Sequence, residues 1–217
     1  MKDVFFDPWV GKNYKTGGIF HKKILVVGES HYCGNEECEG KCGFFVSSDE
    51  DCYEFTNNTV KKYLSGYKDT WTPTYRKFER SLYVNEDGTT TLEDSNKIWQ
   101  SIVFFNFLQV AMTKSRKAGT NEDYVEGQRA FLEVIEELQP DLIIVWGVRL
   151  FQKLPGIKEG WIEGDLLEFD WDNGQNKKIN NGYYQLKNGK KSRVIAVYHP
   201  SVGYSWDKWH KVIKSQL

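Results

Sequence analysis

The sequence predicts an α/β protein built on a parallel sheet, and two observations carry that prediction. Four short apolar runs, at residues 23–28 (KILVVG), 101–107 (SIVFFNF), 141–147 (DLIIVWG) and 193–199 (RVIAVYH), are β-branched or aromatic. They are nearly continuous in hydrophobicity rather than alternating, which is what strands covered on both faces require. Segments with helical spacing separate them, and strands alternating with helices imply βαβ units with right-handed crossovers.

Each intervening element has its own signal. A helix at 59–64 follows Thr56, Asn57 and Asn58, candidate N-caps, and one at 75–82 follows the helix-start pair Thr72-Pro73. Residues 121–138 place Tyr124, Phe131, Val134, Ile135 and Leu138 on one face, and Pro140 ends that helix. A helix at 148–154 leaves the third strand through Gly147, and another at 207–213 closes the chain. Residues 157–192 differ: Leu167, Phe169 and Trp171 alternate, and an Asn188-Gly189 turn sits between 183–186 and 193–197. That stretch reads as an inserted hairpin excursion within a single domain spanning 1–217.

Composition narrows the class. Of the 217 residues 40% are hydrophobic and 27% charged, enough for a packed core and contrary to disorder. A net charge of −1 leaves no global basic field, so nucleic-acid binding has to rest on a local patch. Lys114, Arg116 and Lys117, in the loop beyond Asn106, are the leading candidates for phosphate contact. No apolar run approaches the ~18 residues of a membrane span, and the N-terminal segment lacks the pattern of a signal peptide. The expectation is a soluble, cytoplasmic monomer.

All four cysteines, Cys33, Cys38, Cys42 and Cys52, fall within one stretch of 20 residues. Their spacing, Cys-x4-Cys-x3-Cys-x9-Cys, suits a structural zinc ion that pins a polar, Gly-rich loop unable to build a core of its own. Free thiols, an iron–sulfur cluster or disulfides are the alternatives.

In open α/β sheets ligands sit beyond the carboxyl ends of the strands. There this sequence places Glu29-Ser30-His31, Asn106, Trp146-Gly147 and His199-Pro200-Ser201. A carboxylate, an amide and an imidazole on one rim suit acid–base chemistry with a hydrogen-bonding reader. Singly, Glu29 could instead bond the amides of the next helix, Asn106 cap a turn, and His199 be a satisfied histidine before proline.

Gly28-Glu29-Ser30 and His199-Pro200-Ser201 resemble the two signature motifs of the uracil-DNA glycosylase superfamily. In its iron–sulfur branch the first motif reads Gly-Glu-Ala-Pro-Gly and a Gly-x-Pro-Phe-Val segment follows. Here Gly43-Phe44-Phe45-Val46 is similar, one residue shorter before its Phe-Val, and the strands ending at Asn106 and spanning 140–147 also resemble that branch. The likeness runs from 23 to 210. It implies a three-layer α/β/α sandwich around a central four-stranded parallel sheet, and a DNA glycosylase that hydrolyses the N-glycosidic bond of a flipped-out, uracil-like or otherwise modified base.

By resemblance, Phe45 stacks on the base, Asn106 reads its polar edge, and His199 donates to the base oxygen where charge develops. Glu29 places or polarises water, Ser201 lies beside the substrate, and the loop 202–205, with Tyr204, enters the minor groove. The chain departs from the pattern at Ser30, where strongly activating relatives carry Asp. It departs again at His31, which replaces a proline and either takes a catalytic task or joins Cys33 at the metal. Cysteines are missing where iron–sulfur relatives hold their cluster. The alternative functions are a non-catalytic nucleic-acid or base binder on the same fold, and another nucleoside or nucleotide hydrolase.

Purified protein is expected to contain about one equivalent of zinc, to be colourless, and to keep its thiols unreactive until a chelator is added. A brown protein replaces zinc by an iron–sulfur cluster, and four freely titrating thiols eliminate both.

Overall fold

The computed structural model describes residues 1–33, 52–114, 117–172, 174–201 and 203–217. A two-residue strand, β1 (Trp9–Val10), precedes β2 (Ile24–Gly28), and three helices follow: α1 (Phe55–Leu64), α2 (Thr72–Leu82) and α3 (Leu92–Trp99). They lead to β3 (Ile102–Asn106), from which α4 (Asn121–Leu138) returns to β4 (Leu142–Trp146) and the single turn α5 (Val148–Phe151). Next come β5 (Trp161–Glu163), β6 (Glu168–Asp172), β7 (Gln175–Lys178), β8 (Asn181–Gln185) and β9 (Lys191–Val197), before α6 (Trp206–Lys214).

The four apolar runs form the parallel centre of one sheet, in the order β3-β2-β4-β9, with Gly28 opposite Asn106 and Trp146 opposite Val197. That sheet is wider than the sequence suggested. It has seven strands in the order β1-β3-β2-β4-β9-β8-β5, with β1, β8 and β5 antiparallel at its edges. The excursion before β9 therefore divides: β5 and β8 extend the main sheet, and only β6 and β7 pair apart from it. The Asn188-Gly189 turn joins β8 to β9, with Gly189 at φ +88°, a conformation that glycine adopts without a Cβ penalty.

Every residue of β2, β3 and β4 is buried, so alternate side chains must find cover on opposite faces. Ile24, Val26, Phe104 and Ile144 pack with Tyr63 of α1, Phe78 of α2, Trp99 of α3 and Trp209 of α6. Leu25, Val27, Phe105 and Val145 pack with Phe131, Val134 and Ile135 of α4. Full burial of each such side chain contributes about 1.5–3 kcal/mol. Helices on both faces are thus what lets strands of this composition exist. Among the described residues no helix is long and apolar enough to cross a membrane.

The helix boundaries show where local signals gave way to packing. α1 begins at Phe55, so Thr56, Asn57 and Asn58 lie inside it rather than capping it; Phe55 stacks on His31 and Val60 is fully buried. α5 ends at Phe151, three residues before the reach expected of it. α3 was not anticipated, although its capping box is written in Thr91 and Asp94: the Thr91 hydroxyl accepts from Asp94 N–H at 3.1 Å, and the Asp94 carboxylate accepts from Thr91 N–H at 2.9 Å.

Glu79 is fully buried where α2 meets α3, accepting hydrogen bonds from Ser95 Oγ (2.9 Å) and Trp99 Nε1 (2.6 Å). Burial raises its carboxyl pKa above the ordinary range, and the hydrogen bonds from Ser95 and Trp99 only partly oppose this. The folded state therefore holds the proton more tightly than the unfolded chain, and this stability is full below the unfolded pKa and lost as pH rises through the folded one. Thermal midpoints of the wild type should fall relative to Glu79→Gln between about pH 4 and pH 8. Midpoint curves that stay parallel across that range would show that Glu79 keeps its ordinary pKa.

Candidate functional site

Because β3, β2, β4 and β9 are parallel and in register, all four end on one rim. β2 has β3 on one side and β4 on the other, and the connections leave on opposite faces: α1, α2 and α3 on one, α4 on the other. The strand order therefore reverses between the ends of β2 and β4, the place where open α/β sheets form a ligand crevice. A cavity of about 700 Å³ opens there. It gathers Glu29, Ser30, His31, Asn106, His199 and Ser201, six of the residues singled out from the sequence.

The floor depends on a glycine. A Cβ at Gly28 would stand 2.4 Å from Asn106 Oδ1, so only glycine lets the amide lie across the end of β2. Past the strands the two chains stay paired, Phe107 N–H donating to Gly28 O and Leu108 N–H to Glu29 O, each at 2.9 Å. Gln109 braces this turn: its amide nitrogen donates to the carbonyls of Asn106 and Phe107, and its oxygen accepts from the N–H groups of Phe5 and Phe6.

His31 supports Asn106 from beneath. Asn106 Nδ2 lies 3.1 Å from both ring nitrogens, so it faces the ring rather than one lone pair. His31 Nε2 is 2.9 Å from Thr56 Oγ1, and the ring stacks on Phe55 with centroids 4.4 Å apart. Burial lowers the His31 pKa to about 3, and the neutral ring can accept an amide N–H that an imidazolium would repel.

Glu29 is clamped from two sides. Tyr124 of α4 donates to Oε1 and Arg149 of α5 to Oε2, each at 2.5 Å. Burial, and then the Glu29 carboxylate, push the Tyr124 phenol up to about 12, and the hydrogen bond to Glu29 raises Arg149 further. The pair spans the point of strand reversal. Neither partner was assigned to the site from sequence. Arg149 had a usable signal, since it stands three residues beyond the last residue of β4; Tyr124 reads as one more apolar-face residue of α4, and only the packing of α4 brings it to Glu29.

His199 follows β9. Ser201 N–H donates to His199 Nδ1 at 3.3 Å, and Ser201 Oγ lies 2.8 Å from the same nitrogen. A backbone N–H can only donate, so Nδ1 accepts and the neutral ring carries its proton on Nε2. Among the described residues that Nε2 has no partner. His199 keeps an exposed edge, and desolvation of the rest of the ring lowers its pKa, Glu29 opposing and Arg149 reinforcing the shift. The ring stands edge-on to Trp146 at 5.9 Å, and the turn out of β4 is made by Gly147 at φ +106°, in the region that favours glycine.

Other expected residues fall elsewhere. Tyr204 is not at the cavity: its ring is buried against Trp209, and its hydroxyl donates to Ser81 Oγ at 2.7 Å. It is core, because an aromatic five residues before Trp209 completes the packing of α6 on α2, and it has no free face to offer a duplex. Lys114 and Lys117 are exposed beyond β3 and do not line the cavity. Cys33 and Cys52 are half-buried. Phe45, Cys38, Cys42, Arg116 and Val202 lie outside the described residues. Among the described residues no group of three or more His, Cys, Asp and Glu could hold a metal ion.

No protein-family model and no curated protein matches the chain.

The buried neutral His31 has a stability consequence with a definite sign. Its folded pKa lies below the unfolded one, so the unfolded chain takes up the proton first and stability falls with pH from about 6.5 to about 3. His31→Phe should lose less thermal stability than the wild type between pH 7 and pH 4. An equal loss would show that His31 is protonated in the folded protein.

Proposed function

We propose that this cavity removes a flipped-out base from DNA, in the manner of a uracil-DNA glycosylase, and that the helices on both faces of the sheet form that superfamily's three-layer α/β/α sandwich. The convergence of Glu29, Asn106 and His199 at the strand-reversal crevice is the observation that carries this reading. The cavity lies within the range of about 300–1,000 Å³ usual for small-molecule sites, and Trp71, Tyr75, Phe104 and Trp146 give it aromatic walls.

Each group has a part in the reaction. The bond between sugar C1′ and the base nitrogen breaks with its electron pair passing to the base. Nε2–H of His199 donates to the base oxygen on which that charge collects, and Asn106 holds the polar edge of the base. Glu29, fixed by Tyr124 and Arg149, stabilises the cationic sugar and orients the water whose hydroxyl goes to C1′ and whose proton neutralises the base. Lys114, Arg116 and Lys117 supply phosphate contacts.

One observation favours a second reading, a binder that holds a base without cleaving it. Both Glu29 oxygens are engaged, one by a phenol and one by a guanidinium, so a water has to compete with these donors for the carboxylate.

A cleavage screen on oligonucleotides carrying uracil, hypoxanthine, xanthine or alkylated bases separates the two. His199→Ala should lower turnover by about 10²–10³-fold, because it removes a donor to charge present only in the transition state. Binding of a duplex with a flipped abasic analogue should change by less than about 1 kcal/mol in the same variant. Cleavage at the wild-type rate by His199→Ala rejects the assignment of that residue. A wild type that binds the analogue and cleaves nothing is the binder.

A further inference from the structure

The described residues that line the cavity include more cations than carboxylates, in a chain whose net charge is −1. Among its described lining residues Lys62 and Arg149 are cations and Glu29 is the single carboxylate. Burial keeps His31 neutral, and desolvation lowers the His199 pKa below its ordinary value.

Arg149 and Glu29 are unequally placed. The Glu29 side chain is 13% exposed and that of Arg149 is 53% exposed, so the carboxylate lies inward and the guanidinium reaches toward solvent and the cavity mouth. A guanidinium carries five N–H donors. Among the described residues Arg149 uses its NH2 group on Glu29 and makes no other hydrogen bond. Its remaining donors form a planar fork of the kind that grips phosphate through two oxygens. Lys62 enters the same cavity from α1, on the other face of the sheet, with Nζ 3.9 Å above the Tyr67 ring. A neutral base needs neither cation: an amide and aromatic walls suffice to hold it.

We infer that Arg149, with Lys62, binds a phosphate carried by the nucleotide whose base enters the cavity. The inference rests on reading the Asn106–His199 end as the base site, and it adds the substrate's anionic group. That phosphate has two possible sources: the monoester of a free nucleotide, or the backbone diester beside a flipped residue.

Calorimetric titration of the full chain with deoxyuridine, deoxyinosine and their 5′-monophosphates tests it, together with anisotropy of fluorescein-labelled single strands containing uracil or hypoxanthine. The wild type should bind at least one monophosphate about tenfold more tightly than its nucleoside, the scale of charge-assisted hydrogen bonds. Arg149→Gln should remove most of that preference, Arg149→Lys should keep part of it, and Lys62→Gln should remove a smaller part. Lys62 is exposed, so its variant carries the test if loss of the Glu29 partner prevents Arg149→Gln from folding. Loss confined to the labelled strands assigns the phosphate to the backbone, and loss with the monophosphates assigns it to a free nucleotide.

The inference is overturned by equal wild-type binding of nucleoside and monophosphate with labelled-strand affinity unchanged in the variants, or by no detectable binding of any probe. Base cleavage without an Arg149-dependent phosphate preference removes this site and keeps the glycosylase. The preference without cleavage does the reverse.

Discussion

The pairing of Gly28 with Asn106 across β2 and β3 is the contact on which the site depends. It requires parallel strands in register, because only then do the two strand ends arrive side by side. It also requires the absence of a Cβ at residue 28, since the Asn106 amide occupies that space. From this point the rest of the rim follows. The chain beyond Gly28 is tied to the chain beyond Asn106 by backbone hydrogen bonds, which set Glu29 facing β4 and place His31 under the amide. β4 and β9 then extend the same register and deliver Arg149 and His199.

Burial and charge are divided across the cavity in a way that assigns different capacities to similar groups. Two histidines lie at the same rim, His31 buried and His199 with an exposed edge, and desolvation lowers the pKa of both. His31 is closed in by Phe6, Phe55 and Thr56 and can only support. His199 has one nitrogen engaged by Ser201 and the other left as a donor, so it can act on something that enters. The Glu29 carboxylate is held by a phenol and a guanidinium from elements on the same side of the sheet, α4 and α5. That arrangement fixes its position, and it leaves part of the guanidinium exposed.

Much of this was legible residue by residue. The four central strands were readable because strands buried on both faces must be apolar at every position. α4 was readable from Asn121 to Leu138 because its apolar face repeats with the helical period and Pro140 stops it. The strand-end rule then selected Glu29, Asn106 and His199, all of which line the cavity. Apart from α3, whose capping box is written in Thr91 and Asp94, and Arg149, which follows β4 closely, what escaped reading had no local signature. β5 and β8 join the main sheet although the hairpin signal at Asn188-Gly189 is the same for a paired and an independent hairpin. Tyr204 sits in the loop expected to meet DNA, yet it packs into the core, because a buried tyrosine and an exposed one are spelled alike.

The sequence by itself determined the α/β class, the parallel central strands and which residues stand at their ends, because hydrophobic period and strand termini are properties of short segments. The tertiary structure alone decided that Tyr124 and Arg149 clamp Glu29, that His31 lies beneath Asn106, and that Arg149 and Lys62 share one cavity. Those residues are brought together from separate elements, and in the case of Arg149 and Lys62 from opposite faces of the sheet. Contacts of that kind are set by how helices pack on the two sides of a sheet, and no local pattern of residues encodes them.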